Sequence, residues 1–136
     1  MTRTIMALPL LICMFVFTSA QVKNNSNNID NTTNSRSYNN AIYKVVDADG
    51  FMIYSRDVHV TGSKARVTEK KYYFSKDRNS EIKPLTINNL KHEFPLNREF
   101  HDLIDIHFRS NNELTRYDAY YKEYKLKSIF KKAVNG

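Results

Sequence analysis

Two short helical segments separated by a proline constrain the fold of this chain more than any other feature. Residues 86–109 read TINNLKHEFPLNREFHDLIDIHFR, and the apolar pattern breaks at Pro95. Thr86 and Asn97 can each cap a helix, since their side chains accept hydrogen bonds from free amide groups. Proline lacks that donor and restricts the residue before it, so it ends the first helix. Helical spacing then predicts two buried faces, formed by Ile87, Leu90 and Phe94 and by Phe100, Leu103, Ile104 and Phe108.

The residues before these helices predict an antiparallel sheet. β-Branched and aromatic residues are concentrated at 41–47, 51–60, 64–75 and 81–85, which is typical of strands. Residues 47–50 (Asp-Ala-Asp-Gly) predict a tight turn, since Gly50 can adopt a positive φ. The alternative of a calcium loop lacks oxygen ligands after Gly50. We therefore predict an α+β domain, with a three- or four-stranded antiparallel sheet followed by three or four short helices packed on one face.

The C-terminal residues contain two apolar stripes that one straight helix cannot bury together. Ser110 and Glu113 resemble a capping box that opens a third helix. Helical spacing puts Tyr117, Tyr120, Tyr121 and Tyr124 on one arc with Leu114, and Leu126, Ile129, Phe130 and Ala133 on another. We predict that the tyrosine arc docks on the domain and that the helix breaks near residues 125–127. The second stripe would then contact another surface of the domain, a partner or a membrane, and deleting residues 125–136 would leave a folded domain.

The N-terminus predicts export. Arg3, an apolar run at 5–17 and the small residues Thr18, Ser19 and Ala20 form a signal peptide at residues 1–20, cleaved before Gln21. A lipid anchor at Cys13 is an alternative. Residues 21–40 are rich in Asn, Ser and Thr and predict a disordered spacer, which leaves one α+β domain at 41–136. We expect the mature protein to be periplasmic or secreted and to contain no transmembrane helix.

The positive charge of the chain predicts where a partner binds. The net charge is +7, and residues 114–136 contain six basic side chains but only two acidic ones. Such an amphipathic, cationic segment is suited to an acidic protein or an anionic surface of the cell envelope. No nucleic-acid-binding motif is present, and we expect no nucleic acid partner. We predict a partner-binding surface formed by Tyr120, Tyr124, Lys125, Lys127, Lys131 and Lys132.

The histidines offer a second hypothesis. His101 and Asp105 are spaced i, i+4 and can hold a metal ion from one helix face, with His92 on the preceding helix as a third ligand. This pattern predicts a periplasmic small-ligand or metal-binding protein. The chain has no nucleophile elbow and no phosphate-binding glycine loop, so we predict a non-enzymatic protein without a cofactor.

Several segments resemble uncharacterised small exported proteins of Gram-negative bacteria. The resemblance covers the export signal, the spacer and much of residues 41–130. It is carried by Tyr73-Phe74, the run from Leu85 to Leu90, Phe94-Pro95, the run from Phe100 to Leu103, Tyr117-Asp118 and Tyr124-Lys125. It implies a location in the envelope or outside the cell and assigns no site residues.

Overall fold

Six strands form one antiparallel sheet in the computed structural model, which describes residues 29–30, 34–61 and 66–136. The strands follow one another in the sheet in chain order, so each pairs with the next. Their bounds are β1 (Ile29–Asp30), β2 (Ser35–Tyr38), β3 (Ala41–Asp47), β4 (Met52–Thr61), β5 (Arg66–Ser75) and β6 (Lys83–Pro84). The predicted signal peptide and residues 21–28 and 31–33 of the predicted spacer lie outside the described residues. The α+β class is confirmed, whereas the sheet has more strands than the three or four predicted.

Strand β2 corrects the predicted end of the spacer at residue 40. Ser35–Tyr38 pair with residues 41–44 of β3, so this segment belongs to the sheet. Arg36 within it is 0 % exposed, and its guanidinium donates to Tyr54 Oη at 3.0 Å, Ser75 Oγ at 3.2 Å and Ser80 O at 2.7 Å. The apolar pattern of the sequence did not predict this strand, because a charged side chain rather than apolar ones anchors the strand to the domain.

Alternation along the strands separates two apolar clusters, one on each face of the sheet. Ile53 pairs with Phe74 on the face that contacts the helices. Tyr54 pairs with Val45 on the opposite face, where the second cluster also contains Tyr43, Met52 and Ile82. The helices therefore cover one face, as predicted. Pro84 lies in the edge strand β6, where its missing amide donor leaves no gap in the sheet.

The two helices at Pro95 form as the sequence predicts. They are α1 (Ile87–Glu93) and α2 (Arg98–His107). Thr86 Oγ1 accepts from the Asn89 amide at 3.1 Å, and Asn97 Oδ1 accepts from the Phe100 amide at 2.9 Å. The buried face of the pair consists of Leu90, Phe100, Ile104 and Phe108.

The predicted third helix is absent from residues 116–124, which is a correction. A 3₁₀ helix (Asn111–Thr115) is followed by the two-stranded hairpin of β7 (Tyr117–Asp118) and β8 (Glu123–Tyr124). Asp118 Oδ1 accepts from the amides of Tyr120 and Tyr121 at 2.9 and 3.1 Å. Such a local bond offers the backbone a turn in place of a helix. The break lies before Lys125, where α3 (Lys125–Asn135) begins.

Helix α3 is part of the core. Leu126 is 0 % and Ile129 3 % exposed, and Phe130 contacts the rings of Phe51, Phe94 and Phe100 with 5.0 Å between centroids. Edge contacts among aromatic rings add to the burial of apolar area. No helix of the described residues is long and apolar enough to cross a membrane.

Candidate functional site

The hairpin of β7 and β8 presents tyrosines at the surface. Tyr120 is 85 % exposed, Tyr121 70 % and Tyr117 52 %. The rings of Tyr120 and Tyr121 contact each other edge to face, with 4.9 Å between centroids. The sequence prediction that this arc docks on the domain is wrong, because only its first member, Leu114, is fully buried. Exposed aromatic groups next to one another are typical of binding surfaces.

A turn of few residues holds these rings in place. The two bonds to Asp118 Oδ1 fix the first half of the turn, and Lys122 completes it with a φ of 54°. The Lys125 amide donates to Arg116 O at 2.9 Å, which ties the end of the hairpin to the start of α3. The tyrosines therefore sit on a short, internally bonded loop anchored to a core helix.

Tyr124 has a different environment from the other tyrosines. It is half-buried, and its ring meets that of Tyr117 edge to face at 5.2 Å. Burial raises the pKa of its phenol, and the nearby Tyr72, Asp47 and Tyr117 raise it further. The phenol is therefore a neutral hydrogen-bonding group at physiological pH.

The predicted partner-binding lysines do not share one surface. Lys127 is 1 % exposed, which excludes it from a contact surface and corrects its assignment. Lys131 forms ion pairs with Asp49 at 2.7 Å and Glu123 at 3.1 Å. Lys125 is half-buried and Lys132 exposed, and neither has an ion-pair partner within the described part of the chain.

Lys127 acts as an internal anchor. Its ammonium donates to the carbonyl oxygens of Asp49 and Phe51, lies 3.3 Å from Asp47 Oδ1 and stands 3.9 Å above the ring of Phe51. Burial lowers the pKa of this lysine, while Asp47 acts in the opposite direction. The amphipathic pattern of α3 could not reveal this role, because a buried lysine and a surface lysine look alike in sequence.

The structure does not assemble the predicted metal site. Asp105 forms a salt bridge with Lys91 at 2.6 Å, and the Nε2 atom of His101 lies 3.0 Å from Phe94 O. His92 is exposed. Among residues 29–30, 34–61 and 66–136, no group of three His, Cys, Asp or Glu side chains is placed to hold a metal ion.

A groove that sequence reasoning missed lies on the helix-facing side of the sheet, beside the hairpin. It has a volume of about 530 Å³ and is lined by Ile42, Lys44, Val45, Val46, Ser55, Arg56, Asp57, Lys70, Tyr72 and Tyr124. Its polar side chains come from three strands and are brought together only by the strand register. No local sequence motif therefore predicts the groove. The alternation of β3 and β4 was the one available signal, since it places Lys44, Ser55 and Asp57 on a single face once the strands pair.

Comparison with known proteins gives no relative for this fold and groove. No protein-family model matches the chain, and no curated protein or solved structure matches it either.

Proposed function

We propose that this chain is an exported, non-enzymatic binding protein, and that the hairpin of β7 and β8 holds an acidic protein of the cell envelope. The observation that carries this proposal is the exposed pair Tyr120 and Tyr121. Their rings remain in water, whereas every other described phenylalanine or tyrosine side chain except Tyr117 is buried or half-buried. Tyrosine provides contact area with little loss of side-chain freedom, which is why binding surfaces are rich in it.

Charge near the hairpin supports an acidic partner. Lys122 lies within the turn and Lys125 directly follows the hairpin. Neither has an ion-pair partner among the described residues. Free cations at the rim of an aromatic surface attract a negatively charged partner and increase the rate of association. Because this attraction acts between exposed groups, it weakens as the salt concentration rises.

The proposal that the protein is exported rests on the N-terminal sequence alone. The charged start, the apolar run and the small residues before Gln21 support cleavage at that position. Mass spectrometry of the protein recovered from the envelope and the medium should show a chain that begins at Gln21. An intact Met1 or a lipid on Cys13 would contradict this.

The binding proposal can be tested with a double variant and a matched control. The variant Y120S/Y121S removes both exposed rings, and L96S/I106S removes two apolar side chains that are 95 % and 72 % exposed elsewhere. The immobilised proteins are incubated with an envelope fraction, and retained proteins are quantified by mass spectrometry at low and high salt. We expect wild type and control to retain the same acidic protein, with loss of about tenfold or more for Y120S/Y121S.

Two results would contradict the proposal. Equal retention by Y120S/Y121S and wild type would exclude the hairpin as the contact. Retention that does not weaken with salt would exclude the role of the neighbouring lysines.

A further inference from the structure

The groove beside the hairpin has a regular arrangement of chemical groups, set by the strand register. Lys44 on β3 pairs with Ser55 on β4, and Ser55 pairs with Tyr72 on β5. Two residues further along the same face, Asp57 pairs with Lys70. Given strand spacings of about 4.8 Å and a rise of about 3.4 Å per residue, these five side chains cover about 10 Å by 7 Å.

The charged groups of this patch form no ion pairs among residues 29–30, 34–61 and 66–136. Lys44 and Lys70 form no ion pair in the part of the chain that the structure describes, and neither does Asp57, although it is opposite Lys70. Ser55 is only 7 % exposed and lines the groove, and its hydroxyl forms no hydrogen bond to a described residue. The hydroxyl is open to the groove, since it is not among the buried side-chain atoms that lack a hydrogen bond, and a ligand in the groove can exchange hydrogen bonds with it.

Two tyrosines add aromatic surface to this polar patch. Tyr72 rises from β5, and Tyr124 stands at the end of the hairpin. Both are half-buried and line the groove. A ligand here can contact aromatic surface together with two cations, a carboxylate and a hydroxyl.

We propose that this groove binds a sugar acid, a small hydroxylated molecule that carries a carboxylate. The unpaired ammonium group of Lys44, the cation further from Asp57 in the strand register, binds the carboxylate, and Lys70 donates to a hydroxyl oxygen of the ligand. Asp57 and Ser55 exchange hydrogen bonds with the hydroxyl groups of the ligand, and Tyr72 and Tyr124 contact the apolar face of its ring. The volume of about 530 Å³ lies within the range of about 300–1,000 Å³ that small-molecule sites occupy.

Asp57 favours a sugar acid over an acidic peptide. A peptide with several carboxylates would bring one of them near Asp57, and two like charges at short range repel each other. A sugar acid has one carboxylate and several hydroxyl groups, so it can satisfy both lysines and donate to Asp57 at the same time.

The experiment is a titration of the isotope-labelled protein with sodium glucuronate, followed by amide chemical shifts in NMR spectra. Glucose lacks the carboxylate and acetate lacks the hydroxyl groups, so these two compounds serve as matched ligands. We expect shifts at Lys44, Ser55, Asp57, Lys70 and Tyr72, with a Kd on the order of 1 mM. Glucose and acetate should bind about tenfold more weakly, because each loses one set of charge-assisted or neutral hydrogen bonds.

Variants assign the binding to the groove. K44Q and K70Q should each weaken glucuronate binding about five- to tenfold, and both should fold because these side chains are exposed and unpaired. K76Q removes an exposed lysine outside the groove and should change nothing. Y120S/Y121S should retain glucuronate affinity, so this inference and the proposed partner surface can fail separately.

Three results would overturn the inference. The first is the absence of shifts in the groove at glucuronate concentrations on the order of 20 mM, well above the expected Kd. The second is equal binding of acetate, which would leave only an anion contact. The third is tighter binding of a short acidic peptide at the same residues, which would assign the groove to a protein segment.

Discussion

The ammonium nitrogen of Lys127 lies 2.6 Å from the main-chain oxygen of Asp49, in the turn between β3 and β4. This bond joins residues 78 positions apart and fixes the start of α3 on the sheet. The same turn contains Gly50, with a φ of 75°. A side chain at Gly50 would meet the ring of Phe130 at 3.1 Å. The conformation of the turn and the position of α3 therefore stabilise each other.

Replacing Lys127 tests this anchor. K127M should lower the free energy of unfolding by about 2–4 kcal/mol, because Asp47 and two carbonyl groups lose their buried donor. K132M removes an exposed lysine of the same helix and should change the free energy of unfolding by less than about 0.5 kcal/mol. Urea unfolding measures both. A similar loss of unfolding free energy in the two variants would contradict the role of Lys127 as an anchor between α3 and the sheet.

The effect of K127M should also depend on pH. Burial lowers the pKa of Lys127 in the folded protein, below the value of about 10.4 for an unfolded chain. Between these two pKa values the unfolded state binds more protons, so this lysine contributes a free energy of unfolding that rises with pH. The difference between wild type and K127M should therefore be larger near about pH 10 than at neutral pH. A difference that shrinks at alkaline pH would show that the pKa is raised instead.

Helix α3 should be required for folding, contrary to the sequence prediction that residues 125–136 can be deleted. Leu126 is fully buried in the core cluster that also contains Ile104 and Leu114, so L126A should cost about 2–5 kcal/mol through lost burial and a cavity. V134A on the same helix alters a side chain that is 60 % exposed and should cost less than about 0.5 kcal/mol. Thermal unfolding of the two variants and of the truncated chain measures how much stability α3 contributes. A cooperative transition near the wild-type temperature after truncation would restore the original prediction.

Arg36 should define where the ordered domain begins. R36M removes the donor to Tyr54, Ser75 and Ser80 and should destabilise the protein by about 2–4 kcal/mol. R78M, at an exposed arginine, is the control. Limited proteolysis of wild type should stop before residue 34, because the paired backbone of β2 is protected. Rapid cleavage at residues 36–40 without loss of cooperative unfolding would place the boundary back at residue 40.

The exposed tyrosines should contribute little to stability. Y120S/Y121S should change the free energy of unfolding by less than about 1 kcal/mol, since the two rings are largely in water. L114A, at the buried member of the same predicted arc, should cost about 2–5 kcal/mol. Urea unfolding measures the free energy of unfolding of both variants. A large loss for the tyrosine variant would mean that the hairpin belongs to the core after all.

Local sequence signals determined the helices at Pro95, the turn at Gly50 and the edge position of Pro84. Each depends on backbone chemistry within a few residues: a capping oxygen, a missing amide donor or a tolerated positive φ. Alternating and helical apolar patterns also determined the α+β class and most of the residues that form the core.

Only the tertiary structure decided which of two apolar stripes the domain buries. Both the tyrosine arc and the stripe of Leu126, Ile129 and Phe130 have helical spacing, and the sequence prediction favoured the tyrosines. The core between the sheet and the helices contains Leu126 and Ile129, with Phe130 packed against it. Asp118 stabilises a turn, so the tyrosine segment forms a hairpin. The buried roles of Arg36 and Lys127, and the groove of Lys44, Ser55 and Lys70, arise from residues far apart in the chain. Such contacts depend on strand register and on packing across the whole domain, which no local pattern contains.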